Sequence, residues 1–189
     1  MVLKILVTDK EIKYTGKELA PHWIYRNFDL RGDAAVAFIG PAQVDVDNMV
    51  DLTNVKEQGY IYSPLMLNFI IEHFSTDLEL AVYRQRLFIT CIKEELELFE
   101  VPVARVGDNL YVNRGKLSVS IATCSTVSSL IHVGLNISTE GTPVKTAGLE
   151  QIGIKDIKSF AQNILRRYQN ELEQIYLARC KVRGITTEG

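Results

Sequence analysis

Cysteine is scarce in this chain: Cys91, Cys124 and Cys180 are the only three in 189 residues, far apart and without a CxxC pair. An odd, scattered set encodes neither a disulfide framework nor a zinc knuckle, and it fits a reducing cytoplasm. An excess of either charge is missing too. Lys+Arg 21 against Asp+Glu 23 leaves a net charge of −2, so no bulk positive field draws nucleic acid to the chain. No apolar run approaches the roughly 18–20 residues that a membrane span needs. The start, MVLKILVTDKE, turns charged too early for a secretory signal core. The phosphate loop GxxxxGK[ST], the dinucleotide motif GxGxxG, the GxSxG elbow and the zinc motif HExxH are all absent. His22, His73 and His132 show no metal-ligand spacing. What remains is ordinary globular composition, with 47% hydrophobic and 23% charged residues, enough chain for one sizeable domain.

Turn and cap residues set the expected elements. Val2–Thr8 is β-rich, and Asp9-Lys10 is expected to turn it back into Glu11–Tyr14 as an N-terminal hairpin over residues 1–14. Lys17–Phe28 reads as a short helix or irregular turn. Ala34–Ile39 is a buried strand, ended by Gly40-Pro41. Ser63-Pro64 places a capping hydroxyl before a proline and predicts a helix over Leu65–Phe74. Thr76 and Glu79 form a capping-box pattern opening a second helix that reaches about Phe99. Four strands are expected next, over Val101–Val106, Asn109–Asn113, Lys116–Cys124 and Leu130–Ser138, with Asn113-Arg114-Gly115 as a hairpin turn. Thr139–Gly153, with Gly141, Pro143, Gly148 and Gly153, is a loop. A last helix over 155–183 carries Ile157, Phe160, Ile164, Tyr168, Leu172, Ile175 and Tyr176 on one face, and 184–189 form a frayed tail. This order predicts a single α+β domain over 1–189, with a central, mostly antiparallel sheet flanked by helices. Exposed strand edges and the long terminal helix make a homodimer the expected assembly.

Three short segments carry a family resemblance: Arg105-Val106-Gly107-Asp108-Asn109-Leu110-Tyr111, Gly115-Lys116-Leu117 and Gly134-Leu135-Asn136-Ile137. In this order they resemble the biotin and lipoate protein ligase superfamily, whose core is shared with class II aminoacyl-tRNA synthetases. Gly40-Pro41-Ala42-Gln43 is similar to the Gly-Pro-Gly-Gln segment of the octanoyltransferase branch, and Arg31-Gly32 stands where that branch has an arginine and paired glycines. The chain also resembles a mainly archaeal family in this superfamily that has no assigned reaction. The resemblance implies a biotin ligase-like fold and a ligand that is a small carboxylate or its acyl-adenylate. ATP and Mg²⁺ are the implied cofactors, and an acceptor protein the implied partner. Lys116 is the implied catalytic residue, a compact cation for a carboxylate and phosphate held close together. Arg31 and Arg105 would contact phosphate, and Asp108 or Asn109 would orient ribose or hold Mg²⁺. Asn136 would fix a loop or ligand, Gly32, Gly40 and Pro41 would let backbone approach it, and Gln43 and His132 complete the set.

Departures from the family pattern leave two functional readings open. Leu149–Ile154 holds no cysteine where the octanoyltransferase branch has its nucleophile, Ile39 replaces that branch's loop histidine, and Asp33 adds a carboxylate beside Arg31-Gly32. Each site residue also has a plain role: Lys116 in a solvated hairpin, Arg105 and Asp108 as an ion pair or turn cap, Asn136 as a turn residue. His132 fits a hydrogen-bonded core and Gly40-Pro41 a structural turn, while Cys124 is either a nucleophile beside Lys116 or a small buried thiol. The chain is thus an acyl-activating or acyl-transferring enzyme, or a noncatalytic ligand-binding or protein-interaction module on the same core.

Overall fold

The computed structural model describes residues 3–56, 61–139 and 145–184. Among the described residues the strands are β1 (Lys4–Val7), β2 (Ala34–Val44), β3 (Ile61–His73), β4 (Val103–Val106), β5 (Asn109–Val112), β6 (Gly115–Lys116), β7 (Ser118–Cys124) and β8 (Ser129–Ser138). The helices are α1 (Trp23–Phe28), α2 (Leu52–Lys56), α3 (Leu78–Glu97) and α4 (Ile157–Cys180). Five strands form one mixed sheet in the order β1-β2-β3-β8-β7, parallel only between β1 and β2, and β4-β5-β6 form a small second sheet. The protein is therefore α+β. Met1, Val2, the loop residues Gly141 and Pro143, and the expected tail from 185 onward lie outside the described residues.

Two expected elements are replaced, each for a reason in the sheet. The 1–14 hairpin does not form. β1 runs parallel to β2, and the chain rejoins β2 further along, where Ile12 donates to the Ile39 carbonyl and Tyr14 to that of Pro41. The free edge of an apolar strand needs partners along its whole length, and a hairpin would have left most of β2 uncovered. The expected helix at 65–74 is β3. As the middle strand it is buried on both faces, so its apolar run is nearly continuous and hides the two-residue period. Pro64 and Pro41 face a register break between the pairs Gly40↔Met66 and Ala42↔Ser63, where proline's missing N–H costs no ladder bond. β2 accordingly continues through Gly40-Pro41 to Val44 rather than ending there.

The long helices are capped as short polar residues allow. Asp77, one residue beyond the expected Thr76, accepts from the Leu80 N–H at 2.9 Å, and Asp156 accepts from that of Ser159 at 3.0 Å. α3 lies over β7 and β8, and α4 beside it over β1 and β2. Leu67, Phe69, Ile71, Ile131, Val133 and Leu135 face these helices in the main core. The alternate residues Val36, Phe38, Met66 and Ile70 face the other way, under α1 and the N-terminal segment. β5 turns into β6 at Asn113 and Arg114, both at positive φ (50° and 64°), the geometry of a tight two-residue hairpin turn. The strand expected at 116–124 is divided at Leu117, where the chain passes from the small sheet to the large one.

Candidate functional site

On the sheet face away from α3 and α4 there is a cavity of about 450 Å³. Its lining is mixed: Val44, Met49, Ile61, Met66, Val119 and Ile121 are apolar, and Asp108, Asn109, Lys116, His132 and Asn136 are polar. The register explains this meeting. β3 and β8 pair Met66 with Asn136 and Ile70 with His132, and β7 sets Ile121 beside His132, so residues distant in the chain share one face.

Lys116 stands where the two sheets join, and its backbone is held on several sides. Its N–H donates to the Lys145 carbonyl at 3.1 Å, and its own carbonyl accepts from the Ala147 N–H at 3.0 Å and the Asn136 Nδ2 at 3.3 Å. Gly115 makes this approach feasible, because a Cβ there would lie 2.8–2.9 Å from backbone atoms of Thr146 and Ala147. The Lys116 ammonium has no hydrogen bond or ion pair among the described residues and lines the cavity. Asn136 therefore positions Lys116 through the main chain.

The neighbouring groups are already engaged. The Asp108 carboxylate accepts from Ser120 Oγ at 2.8 Å and Gln85 Nε2 at 3.2 Å, with the Arg86 guanidinium 3.6 Å away. His132 Nε2 lies 3.0 Å from Asn68 Oδ1, and Asn68 Nδ2 donates to the Met66 carbonyl. That orientation of the amide makes His132 the donor at Nε2, leaving Nδ1 as an acceptor. Tyr14 stacks on the imidazole with ring centroids 3.7 Å apart. Burial lowers the His132 pKa to about 3 and raises that of Tyr14, so both rings are neutral.

A family model described as "Domain of unknown function (DUF366)" matches residues 3–183. The chain belongs to the DUF366 family. It is 38% identical over 179 residues to the uncharacterized protein MJ0805 of Methanocaldococcus jannaschii, covering 92% of this chain and 81% of that one. A solved protein of unknown function from Pyrococcus horikoshi is 37% identical with a TM-score of 0.91, over 97% of this chain and 100% of that one. Ta0514 of T. acidophilum, a candidate lipoate protein ligase with bound lipoic acid, superimposes at TM-score 0.61 and 14% identity, over 92% and 87%. The biotin protein ligase of Aquifex aeolicus and a lipoate-protein ligase A bound with ATP score 0.59 and 0.58, each at 15% identity. These chains show that this DUF366 protein has the biotin/lipoate ligase fold, with its class II synthetase-like core.

The remaining expected site residues stand outside the cavity. Arg31 is exposed, with Nη2 on the Tyr25 hydroxyl at 3.3 Å, in the Arg31-Gly32-Asp33 turn before β2. Asp33 of that turn instead accepts from the Phe74 N–H and bonds His73 Nδ1 at 3.0 Å, while His73 Nε2 meets the Tyr168 hydroxyl at 3.0 Å. His73 thus ends a strand and ties β3 to α4. Arg105 caps its own turn through the Gly107 carbonyl. Gly40 packs on the Ile12 backbone and Pro41 accepts from Tyr14, while Gln43 accepts from Lys13 Nζ at 2.9 Å. Cys124 sits at the far end of β7 from Lys116, six residues beyond Ser118, so it is no nucleophile beside that lysine. Sequence reasoning missed Tyr14, Tyr62, Met66 and Asn68. For the residues on β3 the alternation Met66-Asn68-Ile70 is a local signal, and it appears once 61–73 is seen as a strand. Among the described residues no group of three or more His, Cys, Asp or Glu is placed to hold a metal ion, and no helix is long and apolar enough to cross a membrane.

Proposed function

We propose that this DUF366 protein binds a small organic carboxylate, its anionic end at Lys116 and its hydrocarbon part along Met49, Ile61, Met66, Val119 and Ile121. The observation that carries this reading is an ammonium without a hydrogen bond or ion pair among the described residues, on a residue whose backbone is held at a cavity of mixed polar and apolar lining. An amphipathic monoanion satisfies the cation and buries carbon against the apolar lining residues. The described lining holds one lysine and no arginine beside Asp51 and Asp108. That complement fits one carboxylate and does not fit a triphosphate chain with its Mg²⁺. The finer reading, activation of the carboxylate and acyl transfer to a protein lysine, draws its support from the ligase fold.

The test is thermal unfolding of wild type and Lys116→Ala with octanoate, lipoate and biotin, each alone and with ATP·Mg²⁺. A carboxylate at about 100 times its Kd stabilises by about 2.7 kcal/mol, which is roughly 5–10 °C for a chain of this size. The shift is expected in wild type and absent in Lys116→Ala. No shift from any carboxylate in the folded protein, or an equal shift in the variant, rejects the reading and favours a protein-interaction module. Pyrophosphate release that depends on both carboxylate and ATP would establish the activating enzyme.

A further inference from the structure

Helix α4 outruns the core that it packs on. Its apolar stripe is buried at Phe160, Ala161, Ile164, Leu165 and Tyr168 and half-buried at Leu172, then continues as Ile175 and Tyr176, where every residue from Glu173 to Cys180 is exposed. Ile175 and Tyr176 are each 50% exposed and Leu177 49%. Two turns of helix, about 12 Å long, thus present an apolar patch that no described element covers.

The charges on this overhang are segregated. Glu171 and Glu173 precede Tyr176; Arg179, Lys181 and Arg183 follow it. None of the five enters an ion pair among the described residues, although the Arg179 guanidinium lies 5.2 Å from the Tyr176 ring centroid. A two-fold axis passing at Tyr176 sets two such helices antiparallel. Glu173 then stands level with Arg179 of the second copy, and Glu171 with its Lys181. A parallel pairing would set acid beside acid and base beside base. The segment is therefore self-complementary in one orientation only, the condition for a closed isologous dimer.

We propose that the α4 overhang is a homodimer interface, with two copies packed antiparallel through Leu172, Ile175 and Tyr176. A second copy is the favoured occupant because one segment supplies both halves of the charge complement. Sedimentation velocity on the full chain, from micromolar to high-micromolar concentration, tests it. Wild type is expected to dimerise, and Tyr176→Asp to be monomeric with unchanged helix content. Glu173→Arg and Arg179→Glu should each raise the dimer Kd by about tenfold or more, since symmetry counts each pair twice. The two together should restore it. With the exposed Cys180 replaced by serine, Tyr176→Cys, whose thiol lies on the axis, should give a disulfide-linked dimer on oxidation. A wild type that stays monomeric throughout, or a dimer indifferent to both single reversals, overturns the proposal. Carboxylate binding plays no part in these readouts, so they stand or fall apart from the cavity.

Discussion

Between pH 6.5 and about 3 the protein is expected to lose on the order of 5 kcal/mol of folding stability through one residue, His132. Its side chain is buried at 2% exposure, between Tyr14 and Asn68, and burial alone lowers its pKa, with no carboxylate acting to raise it. The folded state keeps the imidazole neutral, whereas the unfolded chain takes up a proton below pH 6.5. The unfolded state therefore binds more protons, and stability rises with pH across the window. The His132 contribution is complete above pH 6.5, declines as the pH falls and is gone near pH 3.

Urea unfolding as a function of pH measures this directly. Wild type should show a slope approaching about 1.4 kcal/mol per pH unit from this group, and His132→Gln should lack it. His73 and Asp33, whose pKa values are both lowered, add acid lability of the same sign to both proteins, so the difference isolates His132. Burial drives the His73 shift against the Asp33 bond; at Asp33 burial opposes the shift, and the bonds from His73 and the Phe74 N–H outweigh it. Parallel profiles for wild type and variant would assign the acid transition to another group. So would an NMR titration in which the His132 ring protonates at an ordinary pKa in the folded protein.

The parts of the candidate site that were legible in the sequence are those set by local chemistry. Asp108, Asn109 and Lys116 lie on a strand–turn–strand unit marked by Gly107 and by Asn113-Arg114-Gly115, and they reach the cavity together. Asn136 and His132 alternate along β8, so one strand assignment placed both on the same face. α3 was legible from a polar cap read one residue early, at Thr76, and from its apolar stripe, and α4 from its apolar stripe alone. The other wall depends on long-range pairing. Met66 and Asn68 belong to a strand buried on both faces, in which Ser63-Pro64 mimics a helix start. Tyr14 reaches His132 only because residues 12–14 run along the outer edge of β2. For Arg31 and Arg105 the residue type matched the family pattern while the tertiary path placed both elsewhere. Charge identity alone carries no direction.

Gly40 separates a structural glycine from a ligand-binding one, and Gly40→Ala is expected to cost about 4–6 kcal/mol of stability. A Cβ at residue 40 would lie 2.1 Å from the Ile12 carbonyl oxygen and 2.7 Å from its carbon. Both are backbone atoms, so no side-chain rotation relieves the clash. Moving the segment would strain three bonds: Ile12 N–H to Ile39 at 3.2 Å, Tyr14 N–H to Pro41 at 2.9 Å, and Gln43 N–H to Tyr14 at 2.9 Å. At about 1 kcal/mol per net hydrogen bond plus about 1–3 kcal/mol for overpacking, the sum reaches the expected loss. The cavity should suffer as well, because Tyr14 is displaced from its stack on His132. Gly184→Ala, where nothing lies within 4 Å of the added carbon, is the control with no cost. A Gly40→Ala protein of wild-type stability that has lost carboxylate binding would mean that the glycine serves the ligand. A destabilised protein means that it serves the edge of β2.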